Sequence, residues 1–414
     1  MRGQTGYAGP VVHWWRDCLL FCGPAHDWRY EGIIAGYLTL FERTGQSCWL
    51  EKARAAGDDL LRAQLADGRF PNSCFESNPR SGGTPHEAAA DVGLLLLAKA
   101  LRERGDDSWQ HYLRAGRRNL EGFYLQRLWC ETEQVFRDNP SQPTFVPNKS
   151  ATLIEAFCLL ADLRGREEYL QRYVRPTADA ILAHQVRARG SVVDGAIAQN
   201  SLGRSLIEKY FPYYNARCVA GLIAASQFLG DERYVEAAAA AMRFVWRWRD
   251  SDGAFPQVVY GSGRTNRYPR WIAAVGDILR AADLLRPYGL DFPEEPTLTW
   301  LLEGQLPSGG FATAHGFAAQ VSQVLPTGGR EFRDWLPVCG WTDKAFRFLA
   351  GRVNEPSISE QVGTSWTLGC SFKGLRLQLT ENERAISLRH PDRPLYTWIK
   401  GADWAEIDGL AVAA

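Results

Sequence analysis

Charge of either sign in excess is the first thing this chain lacks. Across 414 residues, 47 Lys and Arg balance 47 Asp and Glu, so no overall field favours nucleic acid or an anionic membrane surface. Long apolar runs are missing too: no stretch approaches the roughly 20 consecutive apolar residues that span a bilayer. The opening residues, MRGQTGYAGPVVHWWRDCLLFCG, have neither the uninterrupted apolar core nor the small-residue cleavage site of a secretory signal. A soluble, cytoplasmic protein with no membrane span is expected. The cysteines number nine and, apart from Cys18 and Cys22, are scattered singly. That argues for reduced thiols and against a disulfide frame or zinc site. There is no phosphate loop, no Gly-x-Ser-x-Gly elbow and no His-Glu-x-x-His, so no cofactor and no metal are expected.

What is present is repetition. Gln64 to Phe70 reads QLADGRF and Gln305 to Phe311 reads QLPSGGF, and DSDGAFP at Asp250 and VVDGAIAQ at Val192 are variants of the same turn. A second turn recurs as Gly45-Gln-Ser-Cys-Trp49, Gly105-Asp-Asp-Ser-Trp109, Gly165-Arg-Glu-Glu-Tyr169 and Gly230-Asp-Glu-Arg-Tyr234. Each carries Gly where a helix ends in the left-handed conformation, polar residues that start the next helix, and an aromatic four residues on. Amphipathic segments such as Asp231 to Arg249 come after these turns. They alternate with segments low in charge on all sides: Arg29 to Glu42, Glu87 to Arg102, Lys149 to Leu163, Tyr214 to Leu229, Arg270 to Leu285 and Trp341 to Leu349. Six such segments predict an inner ring of buried helices inside an amphipathic outer ring.

This pattern resembles the α/α toroids, the fold of six-hairpin glycosidases, several polysaccharide lyases, sugar epimerases, terpenoid cyclases and protein prenyltransferases. The resemblance covers roughly residues 10 to 352. It implies an all-α (α/α)6 toroid of helical hairpins. The Gln-x-x-x-Gly-x-Phe turns look like the QW repeats of terpenoid cyclases with Phe for Trp, whereas the Gly-Asp-x-x-Tyr turns look like the sugar-processing members. Beyond Pro356 short alternating runs, Leu375 to Leu379 and Ala385 to Leu388, predict β-strands. The expected division is a toroid over residues 1–353 and a small β-rich appendage over 354–414 packed on it.

Inner helices that run the same way present their N-termini, with unpaired N–H groups and positive dipole ends, to one mouth. The residues that start them are therefore the candidates. They are His26, Asp27, Arg29 and Glu31; His86 and Glu87; Asn148 and Lys149; Tyr213, Tyr214, Asn215 and Arg217; Tyr268, Arg270 and Trp271; and Asp334, Trp335, Trp341, Asp343 and Lys344. His315, in a neighbouring loop, joins them. The carboxylates are suited to cap helices, but the cations oppose the dipole and call for an anionic partner, either a neighbouring carboxylate or a ligand. Fifteen tryptophans, Trp14 and Trp15 among them, divide between core and cavity lining.

The leading expectation is an enzyme acting on an anionic, uronate-type saccharide or other small molecule. Cations would neutralise the carboxylate, and Tyr213, Tyr214 or His86 would abstract the adjacent proton, with Arg217, Asn215 and Arg270 holding charge; elimination or epimerisation would result. Alternatives are a glycoside hydrolase using a carboxyl pair drawn from Glu31, Glu87 and Asp334, a cyclase stabilising carbocations on aromatic faces, or a toroid that binds a glycan without turnover. No acidic run in the chain matches the motifs of either type of cyclase. Oligomeric state is not legible in the sequence.

Overall fold

The computed structural model describes residues 6–7, 9–12, 19–22, 29–71, 83–141, 143–202, 205–272, 274–306, 309–325, 330–338, 342–353, 365–372, 375–400, 404–407 and 410–413. Trp14, Trp15, His26, Asp27 and Trp341 lie outside the described residues.

The predicted turns end helices as expected. Gly45, Gly105, Gly165 and Gly230 have φ of +69°, +70°, +61° and +65°, the left-handed values that Gly reaches without a Cβ penalty. Between them the chain alternates inner and outer helices. The inner set is α1 (Arg29–Thr44), α3 (Ala89–Arg102), α5 (Pro147–Arg164), α7 (Pro212–Leu229), α9 (Val275–Leu285) and α11 (Thr342–Ala350). The outer set is α2 (Ser47–Ala63), α4 (Trp109–Asn119), α6 (Arg175–Ala183), α8 (Arg233–Arg247) and α10 (Glu295–Glu303).

Burial separates the two sets. In α5 every residue from Ser150 to Cys158 is buried, and in α7 every residue from Asn215 to Ile223. In α8 the buried positions Tyr234, Ala237, Ala238, Ala241, Met242 and Val245 form one stripe, as an amphipathic helix on a core requires. Each inner helix packs on the next, and α1 packs on both α3 and α11, which closes the ring. Small residues let these backbones approach: a Cβ at Gly221 of α7 would lie 2.6 Å from the Ala151 carbonyl oxygen of α5. Gly221→Ala is therefore expected to destabilise the protein toward the top of the about 1–3 kcal/mol typical of overpacking, outweighing the up to about 1 kcal/mol of helix propensity it gains. A urea midpoint unchanged or raised by the substitution would contradict this packing.

The repeated Gln-x-x-x-Gly turns link one hairpin to the next. Gln64 Nε2 donates to the Gly68 carbonyl at 2.8 Å and to the Ala115 carbonyl of α4 at 2.9 Å. Gln185 Nε2 does the same to Gly195 at 2.9 Å and to Ala237 of α8 at 2.8 Å. Gln305 Nε2 reaches Gly309 at 2.9 Å. In the Val192 variant the glutamine thus lies ten residues before its glycine instead of four, so the sequence pattern hides it.

One helix start differs from expectation. The segment from Arg270 does not begin α9: Arg270 and Trp271 pair as a two-residue strand with His315 and Ala314, and the helix begins at Val275. Backbone pairing to the 314–315 strand wins over helix extension there.

After α11 come six antiparallel strands in sequential order: Trp366–Phe372, Leu375–Glu381, Ala385–His390, Arg393–Ile399, Trp404–Ile407 and Leu410–Ala413. Their alternation buries Leu377, Leu379, Ile386, Leu388, Tyr396 and Trp398 in one apolar cluster with Phe211, Trp271, Phe332 and Leu336 of the toroid's loops. The sheet therefore rests on the loop side of the ring. Among the described residues no helix is long and apolar enough to cross a membrane.

Candidate functional site

Short links join the inner helices to the next outer ones, while the return connections, such as 184–211 and 248–274, are long. All inner N-termini consequently share one end, under the long loops. Some of the charged residues that start these helices meet across the ring, joined by others one or two turns further in.

Glu31, the third residue of α1, is fully enclosed. It accepts two hydrogen bonds from Arg217 of α7, Nη1 to Oε1 at 3.0 Å and Nη2 to Oε2 at 2.5 Å. Lys344 Nζ of α11 lies 3.1 Å from Oε2, and Arg347 donates to Oε1. Arg217 also donates to Thr152 Oγ1 at 3.3 Å and lies 3.7 Å from Asp277 and 3.9 Å from Glu155. Arg280 of α9 pairs with Glu155 at 2.8 Å, and Lys344 with Asp343 at 2.9 Å. Four carboxylates, Glu31, Glu155, Asp277 and Asp343, face four cations, Arg217, Arg280, Lys344 and Arg347.

Burial and charge oppose each other here. Burial alone would raise the Glu31 carboxyl, but Arg217, Lys344 and Arg347 hold it well below its ordinary value. Arg217 is disfavoured by burial yet held well above its ordinary value by Glu31, Asp277 and Glu155. For Asp343, burial outweighs the pull of Lys344 and pushes the carboxyl up to about 6.

His86 precedes α3 in a short 3-10 turn, Pro85–Ala88. The residue is half-buried, and its imidazole lies deep among protein atoms. Burial, then the charges of Lys149, Arg217 and Lys344, push its imidazole well below the usual histidine value, so it is neutral at pH 7. Tyr213 is half-buried at the start of α7, its phenol raised well above the ordinary value by burial and by Asp277. It meets Trp271 edge-on at 4.7 Å and Tyr214 at 5.4 Å.

Other candidates are engaged elsewhere. Asn215 clasps the preceding loop: its Oδ1 accepts from the Ile197 N–H at 2.6 Å, and its Nδ2 donates to the carbonyls of Ile197 and Phe211 at 3.2 and 2.9 Å. This committed amide has no group left to hold a substrate charge. Arg270 pairs with Asp250 at 3.2 Å and with Asp252, and stacks over Tyr268; loop carboxylates are its anionic partners. Lys149 pairs with Asp138 at 2.7 Å. Asp334 accepts three backbone N–H groups, from Gly316, Phe317 and Glu331, at 2.7, 3.2 and 2.9 Å, and holds its loop. Glu87 accepts from the Gly83 N–H at 2.7 Å. Trp335 lies under Arg330 at 4.5 Å. His315, paired in register with Arg270, meets Trp300 edge-on and is pushed down to about 4 by burial, Arg330 and Arg270. Arg29 is buried in the first turn of α1, and Asn148 is half-buried at the start of α5.

Thr152, Glu155, Asp277, Arg280 and Arg347 are members of the site that the sequence reading missed. All but Asp277 lie one or two turns inside their helices, beyond the starting residues. The signal was there: Arg280 and Arg347 come three residues after Asp277 and Lys344, the spacing that keeps side chains on one helix face.

No protein-family model matches the chain, and no curated protein sequence matches it. Solved structures do. The chain is similar to a cellobiose 2-epimerase from Bacillus thermoamylovorans B4167, with TM-score 0.60 and 12% identity over 80% of this chain and 88% of that one. It is similar to an unsaturated glucuronyl hydrolase from Bacillus sp. GL1, with TM-score 0.57 and 16% identity over 83% and 90%. A D-mannose isomerase is also similar, with TM-score 0.56 and 12% identity over 80% and 88%. At such identities the likeness carries the architecture alone: the chain is an (α/α)6 toroid with a small C-terminal sheet.

Proposed function

We propose that this protein is a carbohydrate-active enzyme that moves a proton at a carbon beside a carbonyl or carboxylate of a sugar, giving isomerase, epimerase or lyase chemistry. The observation that carries the reading is His86, a half-buried residue at the entry to α3 whose imidazole is kept neutral by burial and by the charges of Lys149, Arg217 and Lys344. A neutral imidazole is ready to accept a proton, and the nearby cations stabilise the negative charge that then develops on the substrate oxygen. Tyr213, held as a protonated phenol by burial and by Asp277, is the residue we assign as proton donor. The structural neighbours named for sugar epimerisation and isomerisation support the same chemistry.

The floor's four cations each face a carboxylate, which weakens the case for a strictly anionic sugar and leaves neutral aldoses as substrates on equal footing. Hydrolysis has one observation in its favour, since Glu31 and Asp343 are pushed apart in pKa, as an acid and base pair must be. Yet both carboxylates contact the same Lys344 ammonium, at 3.1 and 2.9 Å, and Glu31 is fully enclosed, with no surface to present to a glycosidic oxygen or a water.

Incubation in D2O with cellobiose, mannose and a hexuronate oligosaccharide tests the reading. Carbon-bound deuterium is expected in one of them, with ultraviolet absorbance of an unsaturated product if elimination occurs. New reducing ends without label would establish hydrolysis instead, and no change in any sugar would leave a binding toroid. On the active substrate, Tyr213→Phe is expected to lower kcat by about 10²-fold with KM nearly unchanged; full activity in that variant would remove Tyr213 as the acid.

A further inference from the structure

Away from the ring centre, on the outer wall, lies a cleft of about 630 Å³ between the end of α6, the loop after it and the exposed face of α8. Its α8 side is one stripe: Arg233, Glu236, Ala240, Arg243 and Arg247 succeed one another at intervals of three and four residues, so they share a face. The opposite wall carries Arg187, Arg189 and Asp194. Five arginines thus face two acids, in a chain whose overall charge is balanced.

The cleft is built firmly. Gln185 ties the loop to Ala237, Arg247 donates to the carbonyls of Ser191, Val192 and Asp194, and Trp248 Nε1 donates to Val192 at 3.1 Å. The loop lies so close to α8 that a Cβ on Gly195 would be 2.4 Å from the Ala240 carbonyl oxygen. Walls held this way are ordered before a ligand arrives, which lowers the entropic cost of binding.

Two of the arginines have internal partners. Arg233 pairs with Asp231 and Asp179 at 2.8 and 3.3 Å, and Arg247, in the last turn of α8, complements the negative helix end as well as the loop carbonyls. Arg187, Arg189 and Arg243 are exposed, and their side chains have no hydrogen bond or ion pair with any described residue. Guanidinium forks match the geometry of carboxylate and phosphate oxygens. Among the described residues no aromatic ring lines the cleft, so a nucleobase would find no stacking platform, and recognition must rest on charge.

We propose that this cleft binds a compact polyanion carrying two or more carboxylate or phosphate groups, held by Arg187, Arg189 and Arg243. Such binding is independent of the chemistry at the ring centre, and its readout is affinity, so either can fail without the other. The test is calorimetric titration of the full chain at low salt with pyrophosphate and with a hexuronate tetrasaccharide, and acetate as a monoanion control. Saturable one-to-one binding of at least one polyanion is expected, weakened about tenfold or more by Arg187→Ser with Arg243→Ser, and by Arg189→Glu alone, with thermal midpoint unchanged. Pyrophosphate alone binding would identify a phosphorylated ligand, and the tetrasaccharide alone a carboxylated sugar chain. No saturable binding of either, or affinity untouched by the substitutions, would overturn the proposal.

Discussion

Glu31→Ala is expected to cost about 3–5 kcal/mol of folding stability, a large share of the about 5–15 kcal/mol that holds a typical domain together. The reason is the position of the carboxylate. It is fully enclosed and contacts Arg217, Lys344 and Arg347 at once, so its removal leaves two buried cations and the half-buried Arg347 without their shared counter-ion. A urea melt should show the midpoint falling, and Arg217→Met added to Glu31→Ala should recover part of the loss by removing one orphaned charge. A single variant as stable as the parent would mean that water reaches the centre and screens it. Arg217→Ala is subject to the same penalty: its guanidinium joins four inner helices, so loss of stability is expected beside any loss of turnover.

The network also sets an acid response with a definite sign. Glu31 has a folded-state value below its unfolded 4.5, so its stabilisation is present above pH 4.5 and is lost as pH falls through the lower, folded value. Asp343 acts the other way. Its folded value of about 6 exceeds the unfolded 3.8, so ionising it costs stability as pH rises through that interval, and Asp343→Asn is expected to raise the urea midpoint at pH 7. His86, neutral when folded and below its unfolded 6.5, lowers stability as pH falls under 6.5.

The ring was legible because it is written in local chemistry. Gly105 or Gly230 can end a helix with φ near +70° whatever surrounds it, and the alternation from Leu375 to Leu379 marks a strand before any partner is known. The site was only half legible because its members are defined by what they meet. Glu31 and Arg217 start their helices and read as charged helix starts, but only three-dimensional closure reveals that they neutralise each other across the ring. Glu155 and Asp277 lie in sequence among Leu, Ile and Ala, where a single acid reads as a break in an apolar pattern. Asn215 shows the converse: a polar residue at the right place, whose amide is consumed by the backbone of its own loop.

His86→Ala is expected to abolish most turnover, a fall of about 10²–10⁴-fold in kcat, while helical circular dichroism is retained, because the residue is only half-buried and precedes α3 in a short turn. Loss of activity alone would not separate a base from a packing residue, so the pH profile decides. With burial first and Lys149, Arg217 and Lys344 next depressing its imidazole, the acid limb of kcat/KM should fall well below 6.5. Lys149→Met then removes one of those cations and leaves its partner Asp138, 2.7 Å from the Lys149 ammonium in the parent, to act as a bare negative charge. Both changes favour the imidazolium. The acid limb is therefore expected to move to higher pH in Lys149→Met, with the plateau rate largely kept. A limb that stays in place, or a His86→Ala variant that still turns over, would take the proton transfer away from His86 and back to the tyrosines of α7.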